Sequence, residues 1–151
     1  MSREIEELYD KIYRYCFYKL RNSAAAEDIT QEAFLRYFAQ NTSLKNGREA
    51  PYLFTVAKNL CADSFRRKQT DELPEDYPDD DFSDNSDTKI AVRAALEKLN
   101  GEHREVLVLR YIAGLTANET AEQLGISRFA VYRLEKGALA EMKKLLKGAL
   151  K

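Results

Sequence analysis

Apolar residues return at intervals of three and four along most of the chain. Ile5, Leu8, Tyr9, Ile12, Cys16, Phe17 and Leu20 form the first such series, the spacing of a helix that buries one stripe. Asn22-Ser23 supplies a cap for a second helix, in which Ile29, Ala33, Phe34 and Phe38 share a face. Leu53, Val56, Ala57 and Leu60 make a third stripe, with Pro51 suited to that helix's first turn. No stretch keeps the alternation of a strand for long. The pattern predicts a small helical bundle.

The second half is patterned in the same way but punctuated more often. Asp87 or Ser86 can cap a helix through Leu99, which Asn100-Gly101 interrupts. A further helix should run to about Ala113 and close at Gly114. Thr116 with Glu119 three residues on is a capping box that opens another. Gly125 breaks the chain again, and Ser127 can cap a long last helix.

Charge divides these halves. The 151 residues carry a net charge of −1, which looks wrong for a nucleic-acid binder until it is read by segment. Residues 1–70 hold 12 Lys/Arg and 9 Asp/Glu, a net of +3. Residues 71–87 hold 9 acids and no base, and residues 88–151 hold 12 bases and 7 acids, a net of +5. The acidic stretch also carries two of the three prolines. Self-repulsion and proline oppose compaction, so residues 71–87 are expected to be an extended linker, spanning at most roughly 60 Å. The expected fold is all-α: a helical domain over 1–70, the linker over 71–87, and a second helical domain over 88–151.

Composition excludes several functions. No run of apolar residues approaches a membrane span and the start lacks a signal-peptide layout, so a cytoplasmic protein is expected. Cys16 and Cys61 are too few and too far apart in sequence for a disulfide framework or zinc site, and are expected to be part of the apolar stripes, with a redox switch as the minority alternative. The single histidine, His103, removes most acid–base and metal designs and is expected in solvent on a helix's first turn. No enzymatic activity and no cofactor are expected.

Residues 117–136 are the most informative stretch. A helix-turn-helix needs a small residue where its helices cross, which Ala121 supplies. Four residues on, its turn needs a residue tolerant of positive φ, and Gly125 has no side chain to obstruct it. Leu124, Ile126, Val131 and Leu134 occupy the positions that must be buried between the helices. With Val131, Leu134, Ala138 and Met142 facing inward, Arg128, Phe129, Tyr132, Arg133 and Lys136 face outward, residue types that suit bases and phosphates in a major groove. Glu135, expected to be exposed on the same helix, would repel phosphate.

The chain resembles bacterial RNA polymerase sigma factors of the extracytoplasmic-function (ECF) group. Ala26-Glu27-Asp28-Ile29-Thr30-Gln31-Glu32-Ala33-Phe34-Leu35 is similar to the signature of region two. The resemblance implies that Glu27, Asp28, Gln31 and Glu32 dock on the coiled coil of the polymerase β′ subunit. Tyr52-Leu53-Phe54-Thr55-Val56-Ala57-Lys58-Asn59 and Asp63-Ser64-Phe65-Arg66-Arg67-Lys68 resemble the rest of that region. They imply binding of a melted −10 promoter element by Tyr52, Lys58, Asn59, Asp63, Arg66, Arg67 and Lys68. Basic side chains can hold the backbone there, and Tyr52, Phe54 and Phe65 could include a platform for unpaired bases. Tyr52 stands where the family usually has tryptophan.

Ala95-Leu96-Glu97-Lys98-Leu99 through Arg104-Glu105-Val106-Leu107-Val108-Leu109-Arg110-Tyr111 resembles the lead-in to region four. That region is expected to read a −35 element through Ser127, Arg128, Phe129, Tyr132, Arg133 and Lys136, and to contact the β flap. Gly137 stands where a basic residue is common, at a helix-propensity cost of roughly 1 kcal/mol. The implied function is to direct core RNA polymerase to promoters, under the control of an anti-sigma factor. Two alternatives stay open: an autonomous helix-turn-helix regulator that needs no polymerase, and an interaction protein that keeps polymerase contacts without promoter recognition.

Overall fold

The computed structural model describes residues 3–40, 49–71 and 87–149, the side chains of 68–71 and 149 excepted. All described regular structure is helical, and the chain divides into two compact units, Met1–Asp81 and Phe82–Lys151. Residues 72–86, most of the expected linker, lie outside the described part. The flanking helices claim the linker's two end residues, since one ends at Asp71 and the next begins at Asp87.

Unit one is built from α1 (Arg3–Leu20), α2 (Ser23–Ala39) and α3 (Glu49–Asp71), each packed on the other two. Helix α1 stops because Arg21 turns left-handed at φ 56°, a conformation that costs a non-glycine residue about 1 kcal/mol. The next residue restarts the helix: Asn22 Oδ1 accepts the Ala25 N–H at 2.8 Å. Ile12, Tyr15, Cys16, Ala33, Phe34, Leu53, Phe54 and Ala57 fill the core. Two expectations fail here. Phe38 falls at the edge of the apolar face of α2 and is 52% exposed, in ring contact with Phe34 and Tyr37. Phe54 is 1% exposed and packs edge-on against Tyr15 at 5.6 Å between centroids, so it belongs to the core and not to a base-stacking platform.

Unit two gathers α4 (Asp87–Lys98), α5 (Gly101–Leu107) and α6 (Ala117–Leu124) around α7 (Arg128–Ala149). Asn100 caps α5 by accepting the His103 N–H at 2.8 Å. The helix expected to reach Ala113 instead widens into a π turn over Val108–Ile112, and Gly114 closes it at φ 81°. The Ala113 N–H bonds the Val108 carbonyl at 2.9 Å, five residues back. His103 is half-buried, not solvated: a Cβ added to Gly137 would sit 3.3 Å from its Nε2. Gly137 therefore gives up helix propensity where α7 passes close to the start of α5.

That contact sets the sign of a substitution. Gly137→Ala gains about 1 kcal/mol of helix propensity but must displace the His103 ring by a few tenths of an ångström. The net change in unfolding free energy should stay within about 0.5 kcal/mol. In a His103→Ala background the same replacement should recover close to the full gain, about 1 kcal/mol. Urea unfolding of the four proteins in the cycle measures both values.

Candidate nucleic-acid interface

The turn between α6 and α7 is held by local chemistry. Thr116 Oγ1 accepts the Glu119 N–H at 3.1 Å while Glu119 Oε1 accepts the Thr116 N–H at 2.8 Å, the reciprocal pair of a capping box. Such a cap contributes about 1 kcal/mol. Gly125 ends α6 at φ 69°, and the Ile126 N–H reaches back to the Ala121 carbonyl at 3.0 Å. Ser127 Oγ then accepts the Ala130 N–H at 3.0 Å, so this hydroxyl starts α7 as well as standing at its outer end. Ala117, Ala121 and Val131 bury the crossing, with Ile126 packed against them. Val131, Ala138 and Met142 are buried along α7; Leu134 is half-buried at the edge of the same stripe.

The opposite side of α7 is open. Arg128, Phe129, Tyr132, Arg133 and Lys136 are all exposed, Phe129 by 75%. At about 100° per residue they fall within an arc of about 140° over the first turns of the helix. Cations, aromatic faces and a helix start converge there, as a major-groove reader requires.

Glu135 corrects the expectation of an exposed, phosphate-repelling acid. Its carboxylate is half-buried and turned away from that face: Oε1 accepts from Arg110 Nε at 2.7 Å and Oε2 from the Tyr111 hydroxyl at 3.2 Å. Arg110 Nη1 also donates to the Leu115 carbonyl at 3.1 Å. The bond to Glu135 holds the Arg110 guanidinium above its ordinary pKa, and burial, then Glu135, raises the Tyr111 phenol. The π turn is thereby latched to the middle of the outward-facing helix. No local pattern announces this pair, whose members stand 25 residues apart.

In unit one, Tyr52, Asn59, Asp63, Arg66 and Arg67 of α3 fall within an arc of about 100°. Lys58 is exposed to one side of that stripe, as is Phe65. Asn59, Arg66 and Arg67 are exposed; Tyr52 and Asp63 are half-buried. Arg66 pairs with Asp63, and the Tyr52 hydroxyl accepts from Gln40 Nε2 at 3.3 Å beside the Tyr37 ring. Lys68 lies on α3, but its side chain is outside the described part.

On α2, Glu27, Asp28, Gln31 and Glu32 are all exposed. Gln31 Nε2 donates to Glu27 at 3.4 Å, and Arg36 pairs with Glu32 at 2.9 Å. The structure adds Leu35, 65% exposed, in the middle of this polar face, and Phe38 one turn further along it. A helical projection of the sequence would have found Leu35, which falls off the apolar stripe. Unit two has an apolar feature of its own, a groove of about 660 Å³ whose lining includes Leu96, Leu107, Ile112, Leu139 and Met142, with Lys143 and Lys147 beside them.

Among the described residues no helix is long and apolar enough to cross a membrane, and no group of three or more His, Cys, Asp and Glu could hold a metal.

Residues 5–70 match the family Sigma-70 region 2, and residues 95–144 match Sigma-70, region 4. The ECF RNA polymerase sigma factor BldN of Streptomyces coelicolor is 32% identical over 96% of this chain and 60% of its own length. SigE of Mycolicibacterium smegmatis is 33% identical over 78% of this chain and 50% of its own, so the chain spans only about half to three fifths of these two relatives. SigL of Mycobacterium tuberculosis is 31% identical over 82% of this chain and 78% of its own length. The fold is shared with the sigma factor RpoE in its complex with the anti-sigma factor NepR from Bartonella quintana, at TM-score 0.65 and 19% identity, covering 96% of this chain and 95% of that one. CnrH in complex with the cytosolic domain of CnrY gives a TM-score of 0.63 at 23% identity, covering 97% and 84%. With region two and region four following one another on a scaffold that is helical throughout its described residues, and with the ECF sigma factor SigL 31% identical over 78% of its own length, this chain belongs to the ECF group of RNA polymerase sigma factors.

Proposed function

We propose that this protein directs core RNA polymerase to specific promoters and promotes the start of transcription, without catalysis of its own, in the cytoplasm. The outward face of α7, with Arg128, Phe129, Tyr132, Arg133 and Lys136 exposed on a capped helix-turn-helix, is the observation that carries the proposal. Residues 88–151 hold the −35 element as duplex through that face and Ser127. Residues 1–70 hold the −10 element as single strand along the α3 stripe of Tyr52, Asn59, Asp63, Arg66 and Arg67, with Lys58 and Lys68 at its margins. Binding energy for unpaired bases favours the open state over the closed duplex, which promotes melting without ATP. The acidic linker joins the two sites.

Polymerase docks on two surfaces in this proposal. Glu27, Asp28, Gln31 and Glu32 meet the β′ coiled coil around Leu35, whose exposed side chain supplies the apolar centre that a polar rim alone lacks. The groove beside Lys143 and Lys147 receives the β flap. An anti-sigma factor that covers either surface would silence the protein. Among the structural neighbours, RpoE is in complex with the anti-sigma factor NepR, and CnrH is in complex with the cytosolic domain of CnrY.

A reconstituted transcription assay tests the proposal, with bacterial core polymerase and a pooled library of promoters from the source genome. Discrete transcripts that require this protein are expected, and their aligned start sites give both elements. Core binding without transcripts would favour the interaction protein. Sequence-specific DNA binding without core binding would favour the autonomous regulator.

A further inference from the structure

Of the five outward-facing residues of α7, Phe129 alone carries no polar group. It is 75% exposed, the most open of the large apolar side chains among the described residues. The packing of unit two makes no use of its ring. The apolar stripe of the helix runs through Val131, Ala138 and Met142, and Val131, two positions on, is wholly buried.

The ring is nevertheless held in a defined place. The Val131 N–H bonds the Ser127 carbonyl at 3.0 Å and the Ser127 hydroxyl accepts the Ala130 N–H at 3.0 Å, so Phe129 sits in a closed first turn. Helical side chains lean toward the N-terminus, here the end of α7 that enters a major groove. At about 100° per residue, Phe129 lies between Arg128 and Arg133 and within about 60° of Tyr132 and Lys136. Cations flank it on both sides. That surrounding charge suits a ring pressed against DNA better than one pressed against an apolar protein surface.

Base edges differ in what they offer such a ring. In the major groove guanine, adenine and cytosine present hydrogen-bonding atoms that a phenyl ring cannot satisfy, and covering them costs their hydration. Thymine alone adds an apolar group, its C5-methyl. We infer that Phe129 packs on a thymine methyl of the −35 element and thereby selects thymine at that position of the promoter. Resting on the proposed −35 role of α7, this contact names one base that the helix prefers. A buried methyl is worth about 4-fold in affinity, and the whole ring on the order of 10-fold.

The test uses the polymerase complex of this protein on promoters recovered from the transcription assay. Each thymine of the −35 element, on either strand, is replaced in turn by deoxyuridine, which keeps the base pair and removes only the methyl. Wild type should lose about 4-fold in affinity at one of these positions. Phe129→Ala should bind the unmodified promoter about 10-fold more weakly and show no uracil penalty there. Phe129→Leu, which keeps an apolar tip, should retain most of that penalty. Neither replacement should lower thermal stability, because the ring is exposed.

A uracil penalty that survives in full in Phe129→Ala would overturn the inference. So would an element that ignores every uracil, or lacks thymine, while other base changes weaken binding; the −35 role of α7 would then stand. Phe129→Ala that weakens binding to core polymerase and leaves DNA affinity unchanged would assign the ring to a protein surface instead. Binding indifferent to every base change in the −35 element would overturn the role of α7 as well.

Discussion

Arg128→Ala with Arg133→Ala should weaken binding of the polymerase complex to its −35 element by at least about 30-fold, since each arginine that reaches a base edge contributes roughly 1–3 kcal/mol of recognition. Both side chains are exposed on α7 and absent from its buried stripe, so helicity and thermal stability should not change. Lys136→Ala should behave differently. A phosphate contact carries no sequence information, so its loss should weaken matched and scrambled −35 sequences equally and lower the salt slope by about one. Electrophoretic shift titrations at several salt concentrations, on promoters recovered from the transcription assay, separate the two behaviours. A double arginine variant that binds within about 2-fold of wild type would remove base reading from this helix.

Glu135→Ala should lower the stability of unit two by about 2 kcal/mol, a large effect for a charged residue on the DNA-facing helix. It would leave the Arg110 guanidinium half-buried with only the Leu115 carbonyl, and the Tyr111 hydroxyl without its acceptor. The cost comes mainly from stranding a charge, so Arg110→Met should cost a similar amount by stranding the carboxylate. The double variant Arg110→Met, Glu135→Met should recover most of the loss, because apolar side chains of similar length leave nothing unpaired. Urea unfolding of the four proteins measures the coupling directly. DNA affinity of the double variant should stay near that of wild type if the latch only fixes the angle of α7. A simultaneous gain in affinity would show that Glu135 opposes phosphate despite its burial.

Much of this protein is legible in one dimension because its determinants are local. Helix starts are set within three residues, and Asn22, Asn100, Thr116–Glu119 and Ser127 cap as their sequence positions require. Gly125 takes the left-handed turn that only its missing side chain makes inexpensive. The periodicity of α7 likewise sorts buried Val131, Ala138 and Met142 from exposed Arg128, Tyr132 and Arg133 before any packing is known.

What needed the tertiary structure depends on residues distant in sequence. Exposure of Phe38 follows from how α2 sits on its neighbours, and burial of Phe54 from the Tyr15 ring that meets it across helices. Period alone assigns a residue to a face but not to the depth at which that face is covered. Glu135 reads as one more surface acid until Arg110 and Tyr111 arrive from the π turn, itself invisible to a pattern tuned to 3.6 residues. Gly137 reads as a weak point until the His103 ring occupies the space. Sequence by itself determined the helices, their caps and the sides they present, because those are set by backbone geometry within a turn or two. Only the fold decided which charge is paired and which ring is covered, because those are set by what the chain brings back from far away.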